Sequence, residues 1–369
     1  MRLSCTAYPV KNGWAVFFCT LCEKNFRKST DCRFCFSGRK EWKKLKSHKN
    51  GPNITYQNRI RCVILTEQET VKGTAMDYTG DTNVLTRQYF DSVLVVPRYL
   101  DSELPDLTME LWGETFKTPV MTAALSHLHE ICDHAMTEIA FGAKEAGAVH
   151  FVGMTEEDEL AEITASGAKT VKIIKPHEED GRVLFKIQHA VGHGAFAVGM
   201  DIDHAISWRG GFDVVCGLPM RTKTRNQLES YIRASKVPFV VKGVLDPREA
   251  EVSAEAGAAA IIVSHHHGIM NSMVPPLMML PDIRKAVGNR IKVFIDCGFE
   301  SGMDVYKALA LGADAVCVGR ALMDPLKEGR KGVTGKLMQL NAELSVVMAR
   351  TGARRLSEID PASIRLRNF

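Results

Sequence analysis

Several residues that can carry charge or a proton stand at the ends of short apolar runs. Lys242 closes Pro-Phe-Val-Val-Lys-Gly. A lysine there is either a solvated strand end or a cation facing an anionic group of a cofactor. Ser264-His265-His266-His267-Gly268 follows Ile-Ile-Val. Imidazole titrates near neutrality, so a histidine here can take a proton from a substrate. An extended strand end would point His265 and His267 one way and His266 the other. Asp201 and Asp203 end a fourth such run, and alternation predicts that they do not both face inward. One of them can orient a histidine; the other reading is a helix cap. Gly298, Gly302, Gly319 and Arg320 end two further runs, and exposed backbone N–H groups beside a guanidinium suit a phosphate. His127, His129 and His204 would join the same mouth, which makes a metal centre the alternative chemistry. None of these histidines has the HxxxH or HExxH helix spacing.

A different chemistry stands near the amino end. Cys19-x2-Cys22-x9-Cys32-x2-Cys35 is a pair of knuckles whose four thiolates suit a tetrahedral structural zinc, with a one-iron centre or an empty site as alternatives. Ten Lys/Arg against three Asp/Glu make Glu23–Lys49 +7, while the rest of the chain sums to −3. A basic run of this size reads as a solvated surface before a nucleic-acid contact.

The elements that must position the first group repeat regularly. Eight strands are expected at Pro119–Ala123, Val149–Gly153, Val171–Lys175, Phe196–Asp201, Pro238–Lys242, Ala259–Ser264, Lys292–Asp296 and Ala315–Gly319. Helical stretches such as Ala135–Ala146 and Pro247–Ala256 lie between them, and several close on a glycine suited to a left-handed cap. Continuous apolar strands alternating with helices predict a parallel sheet covered on both faces. Eight units predict a closed α/β (β/α)8 TIM barrel, whose active site lies at the carboxyl ends of the strands. The G-x-G-x-x-G dinucleotide turn is absent from the first unit, which counts against an open doubly wound sheet. The predicted organisation is a Cys-rich basic segment over 1–50, a connection over 51–90 and the barrel over 91–369.

The apolar stretch Trp14–Cys22 is far too short to span a membrane. Cys62, Cys132, Cys216, Cys297 and Cys317 stand singly and read as reduced buried thiols, which predicts a cytoplasmic protein.

Residues 85–360 resemble the FMN-dependent α-hydroxy acid oxidase/dehydrogenase family. The resemblance rests on Pro-Phe-Val-Val-Lys-Gly-Val, on the Ser-x-His-x-Gly block after strand six, and on the long run from Asp296 to Arg320. It implies flavin mononucleotide at the barrel mouth, with Lys242 beside the N1–O2 edge of the ring. It further implies His266 as the base that removes the substrate hydroxyl proton, and Asp201 as its partner. Ala123 and Ala124 would pass the flavin ring, with Ser264 and Asp296 also at the cofactor and Gly298, Gly319 and Arg320 at its phosphate. Electrons would then pass to oxygen or to an acceptor protein, and the resemblance implies a tetramer.

The departures concern the substrate. The arginine expected three residues after the histidine, a carboxylate clamp, is Ile269. Lys175-Pro176 stands in place of the usual aromatic residue after strand three, Glu300 replaces a phosphate-side arginine, and His265 and His267 replace Asn and Gly. Arg209 is a candidate substitute clamp, and His265 and His267 are candidate substrate contacts. The expected activity is therefore FMN-dependent oxidation of a CH–OH donor other than a standard 2-hydroxy acid. The alternatives are an FMN-dependent isomerase, a metal-dependent barrel enzyme, or a zinc-knuckle regulatory protein with a weakly active barrel.

Overall fold

The computed structural model describes the backbone of residues 3–10 and 14–21, and residues 80–367 except 156, 208 and 209. The chain divides into two compact units, Met1–Gly73 and Thr74–Phe369. In the first, strands Leu3–Val10 and Trp14–Leu21 pair antiparallel, with Cys5 in register opposite Cys19. Cys22, Cys32 and Cys35, and the basic run that contains two of them, lie outside the described residues.

The second unit is the expected barrel. Its strands are β1 Val120–Thr122, β2 His150–Val152, β3 Thr170–Ile174, β4 Ala197–Asp201, β5 Phe239–Val244, β6 Ala260–Val263, β7 Lys292–Ile295 and β8 Ala315–Val318. From β2 to β8 each neighbours the next in one parallel sheet, and β8 returns to β1 through Val316↔Val120, Cys317↔Met121 and Val318↔Thr122. The seam between β1 and β2 is thinner. Leu125 bridges Val152, Thr122 N–H donates to the Val149 carbonyl at 3.2 Å, and Phe151 N–H donates to Thr122 Oγ1 at 2.9 Å.

Valine and isoleucine dominate these strands because both faces are buried. Met121, Phe151, Ile173, Val240, Ile262 and Phe294 fill the interior, while Val198, Val241, Ile261 and Val293 pack outward against the helices. A hairpin of strands Met109–Leu111 and Glu114–Phe116 lines the bottom of that interior, and Trp112 at its turn lies 5.4 Å from Phe196 and 6.1 Å from Phe294 between ring centroids. With the bottom apolar, the polar strand ends collect at the top.

The covering helices are α1 Ala135–Ala146, α2 Glu157–Ala165, α3 Asp180–Gly192, α4 Arg225–Ser235, α5 Pro247–Glu255, α6 Pro276–Val287, α7 Gly302–Ala310 and α8 Gly329–Thr351. Local chemistry sets their ends: Thr224 and Gln227 form a capping box on α4, Ser301 and Asp304 form another on α7, and Asp246 caps α5 with Pro247 in its first turn. None of the described helices is long and apolar enough to cross a membrane.

One element departs from expectation. Part of the predicted connection is a helix, Thr82–Ser92, which leads into the barrel and is capped by Asp81 accepting from Asn83 N–H and Val84 N–H. Its buried face is Thr82, Thr86 and Phe90. Two of those three are polar, so the face the helix buries is not an apolar stripe in the sequence.

Candidate active site

The carboxyl ends of the strands surround a cavity of about 640 Å³, a size ordinary for small-molecule and cofactor sites. Lys242 reaches it from β5, Lys175 from the end of β3, and His266 from the turn after β6. Asp201, fully buried at the end of β4, ties the two lysines together. Its Oδ2 lies 2.8 Å from Lys175 Nζ and its Oδ1 lies 3.2 Å from Lys242 Nζ. Asp296 Oδ2 is a further 3.7 Å neighbour of Lys242. Burial opposes the Lys242 charge, but Asp201, Asp296 and Asp203 outweigh it and hold the ammonium well above the ordinary lysine value. Burial likewise opposes the Asp201 charge, and Lys242 and Lys175 overcome it, so the carboxylate lies far below its usual range.

The histidine–aspartate pairing differs from the sequence expectation. His266 Nδ1 is 3.1 Å from Asp203 Oδ1 and 3.8 Å from Asp201 Oδ1. Asp203, rather than Asp201, is the carboxylate placed to accept a hydrogen bond from His266 Nδ1. Alternation does not separate the two aspartates, because the chain bends at Ile202 and Asp203, just past the last rung of the β4–β5 ladder, in which Ile202 N–H donates to the Lys242 carbonyl at 2.9 Å. Gly243 makes room for this. Its φ is +96°, and a Cβ there would fall 2.3 Å from Asp203 Cγ.

The three histidines do not alternate either. His266, His267 and Gly268 adopt φ of 49°, 59° and 78°, so the strand end curls into a left-handed turn. His266 and His267 both line the cavity. His265 turns away, fully buried, with Nε2 at 2.8 Å from Thr86 Oγ1 of the leading helix. Gly268 N–H donates to its Nδ1 at 3.0 Å, and burial pushes its pKa down to about 4. His265 thus pins the turn that carries His266 and makes no contact with the cavity. His267 Nδ1 lies 2.8 Å from Asn83 Oδ1, which also accepts from Arg320 Nη2 at 3.0 Å.

At the cofactor end, Ala123, Ala124, Asp296, Gly298, Gly319 and Arg320 line the cavity. Ser264 lies beneath it, accepting from His266 N–H at 3.1 Å. Gly298 has a second reason to be glycine: its φ is +87°, and a Cβ would sit 2.9 Å from Thr86 Cγ2. Glu300 stands at the same end, while its N–H and that of Ser301 donate to Asp304, which Arg87 clamps through two hydrogen bonds of 2.8 and 3.1 Å.

Asp201, Asp203 and His266 bring three ligand atoms within 4.8 Å of one another. A divalent ion there would have to displace two ammonium groups already seated on Asp201, so the charge balance opposes the metal alternative. Arg209 lies outside the described residues, as do Cys22, Cys32 and Cys35, and of Cys19 only the backbone is described. Cys216 proves exposed rather than buried and lines the cavity.

Sequence reasoning placed Lys175 and His204 at this mouth without their partners, and it passed over the residues of the leading helix. Lys175 was visible only as a missing aromatic. His204, 3.0 Å from Asp213, lines the cavity beside His266. Asn83, Thr86 and Arg87 come from the leading helix; the signal that could have found them is the Asp81 cap followed by Leu85, Tyr89 and Phe90 at helical spacing.

This barrel, with a lysine, a histidine and buried aspartates at the strand ends, is the class of site that holds a cofactor for hydride transfer. The sequence profile described as FMN-dependent dehydrogenase matches residues 69–231 and 213–366. The chain belongs to that family of FMN-dependent α-hydroxy acid oxidases and dehydrogenases. It is 30% identical over 315 residues to an L-lactate oxidase of Alicycliphilus denitrificans, covering 75% of this chain and 86% of that protein. It is 41% identical over 143 residues to a 2-hydroxyacid oxidase of Dictyostelium discoideum, covering 38% and 37% of the two chains. Among solved structures, mandelate oxidase with (S)-2-phenylpropionate superposes with a TM-score of 0.71 at 27% identity, covering 78% of this chain and 90% of that one.

The residues present fit FMN. Lys242 puts a buried ammonium on the cavity wall. Arg320 brings a guanidinium to the other end, where its one side-chain hydrogen bond is to the neutral Asn83 amide and no described carboxylate neutralises it. A cation without a counter-ion facing a cavity suits a phosphate, although Glu300 reduces the positive charge at that end.

Proposed function

We propose that the protein oxidises a small CH–OH donor, with His266 as the base and Lys242 beside the flavin. Bound FMN supplies the hydride acceptor. The two oxygens of Asp203, at 3.1 and 3.2 Å and so nearer than the Lys242 ammonium at 3.4 Å, favour the proton of His266 on Nδ1, which leaves the Nε2 lone pair to take the substrate hydroxyl proton as the carbon gives up hydride. Lys242 keeps its charge through turnover, because three carboxylates hold its proton. It would therefore offer fixed positive charge to a flavin held beside it. The Asp203–His266 contact, at the wall of a cavity that Lys242 also lines, carries this reading.

The substrate need not be a carboxylate. Ile269 replaces the expected guanidinium, and Lys175, the second lysine on the cavity wall, is already matched by Asp201 at 2.8 Å. Oxygen is the proposed electron acceptor, in keeping with the oxidases among the relatives. The four-cysteine spacing supports a structural zinc in the amino-terminal unit, which metal analysis of the whole protein would test.

The test is anaerobic flavin bleaching by a panel of hydroxy acids, alcohols and amines. In the holoenzyme, His266→Asn should keep its flavin and lose about 10²–10⁴-fold in the rate of reduction. An unchanged rate would remove His266 from the mechanism.

A further inference from the structure

Two imidazoles face the cavity side by side. His204, after β4, and His266, after β6, have ring centroids 5.0 Å apart, with the rings inclined at 68°. Each turns Nδ1 to a carboxylate. His266 Nδ1 is 3.1 Å from Asp203 Oδ1, and His204 Nδ1 is 3.0 Å from Asp213 Oδ2. The second contact lies off the line of a hydrogen bond, so Asp213 acts on His204 through its charge. In both rings the nearby negative charge favours the proton on Nδ1 and leaves a lone pair on Nε2. Among the described residues, neither Nε2 has a hydrogen-bond partner. Burial, with Lys175 and His266 close by, holds His204 below the ordinary imidazole value, and Asp201 and Asp213 only partly oppose this. At neutral pH it is an uncharged acceptor.

An acceptor selects its ligand. A lone pair receives an O–H or N–H and cannot hold a carboxylate, which has only lone pairs of its own. The guanidinium that would hold a carboxylate is replaced by Ile269, and Met154 and Val215 add apolar wall. We propose that the second recognition group of the substrate is a hydroxyl that donates to His204 Nε2, so that the preferred donors are neutral diols. This rests on the FMN-dependent reading of the site. One carbinol carbon gives its hydride to bound FMN and its hydroxyl proton to His266 Nε2, and becomes a carbonyl. The other hydroxyl stays intact on His204, and the product is a hydroxy-carbonyl compound. His204 is thus a specificity-determining residue that touches the substrate beside the base.

The experiment compares two three-carbon donors that differ at one end, 1,2-propanediol and lactate, as anaerobic reductants of the FMN holoenzyme. The diol should reach half-maximal rate at a concentration about tenfold lower than lactate. His204→Phe should raise that concentration for the diol about tenfold while changing the limiting rate less, and His204→Gln, which keeps an acceptor, should recover most of the loss. Faster or tighter use of lactate by the parent overturns the proposal and leaves the FMN reading standing. So does a His204→Phe variant that handles the diol like the parent. A purified protein that holds no flavin, even after reconstitution, overturns both.

Discussion

Replacing Lys175 with methionine tests the charge arrangement at the base of the cavity. Its Nζ lies 2.8 Å from Asp201 Oδ2, and the two side chains are 10% and 5% exposed. At an effective dielectric constant of about 20, that separation corresponds to an attraction of ~6 kcal/mol. Methionine also removes the cost of desolvating an ammonium, several kcal/mol, and refills much of the volume with apolar atoms. Asp201 is not orphaned, because Lys242 remains at 3.2 Å. The expected net loss is about 2–3 kcal/mol at pH 7, read by urea unfolding of the holoenzyme, or a Tm lower by roughly 5–10 °C. The sign of the pH dependence follows from Asp201. Its folded pKa is depressed, so its contribution is present above the unfolded carboxylate value of about 3.9 and fades as pH falls toward the folded value. Without Lys175 that folded value rises and the contribution shrinks. The gap between parent and variant should therefore be widest above about pH 4 and should close in stronger acid. A variant as stable as the parent at pH 7, or a gap that widens with acid, would refute the argument.

Further outcomes separate the neighbouring groups. Asp203→Asn should slow flavin reduction about 10²–10⁴-fold with the cofactor retained, since it loses the charge that fixes the His266 tautomer; Asp201→Asn should instead lower stability, and the reverse pattern would restore Asp201 as the partner. Gly243→Ala should cost activity as well as stability, because its Cβ would displace Asp203 at a strained φ of +96°; stopped-flow reduction at the parental rate would contradict the packing. His265 has its folded pKa lowered to about 4, so its stabilising contribution is full above the unfolded value of about 6.5 and is lost as pH falls between the two. His265→Gln should flatten the unfolding free energy across that window, and an unchanged slope would deny the role. Arg87→Ala leaves the buried Asp304 without its clamp and should lower stability by about 2–3 kcal/mol, measured by denaturant unfolding.

The eight strands were legible because each is short, β-branched and buried on both faces, so the apolar runs show in the sequence within a residue or two of their ends. The leading helix was not, because it buries Thr82 and Thr86 through hydrogen bonds to Met270 and His265, contacts made some 180 residues away along the chain. His266 and Lys242 stood out by type and place. Lys175 could be seen only as a departure, since nothing local says that a lysine after β3 meets the aspartate that ends β4.

The sequence by itself determined the barrel, the end of it that carries chemistry, and the residues Lys242, His266, Gly319 and Arg320 at that end. Periodicity and strand-end chemistry are local properties, and a chain read in order preserves them. The tertiary structure decided which carboxylate serves which cation. Asp203 addresses His266, Asp201 joins two lysines, and His204 stands beside the base. These pairings are set by where the turns after β4 and β6 fold back. There the chain leaves the extended form, so alternation no longer tells which way a side chain points.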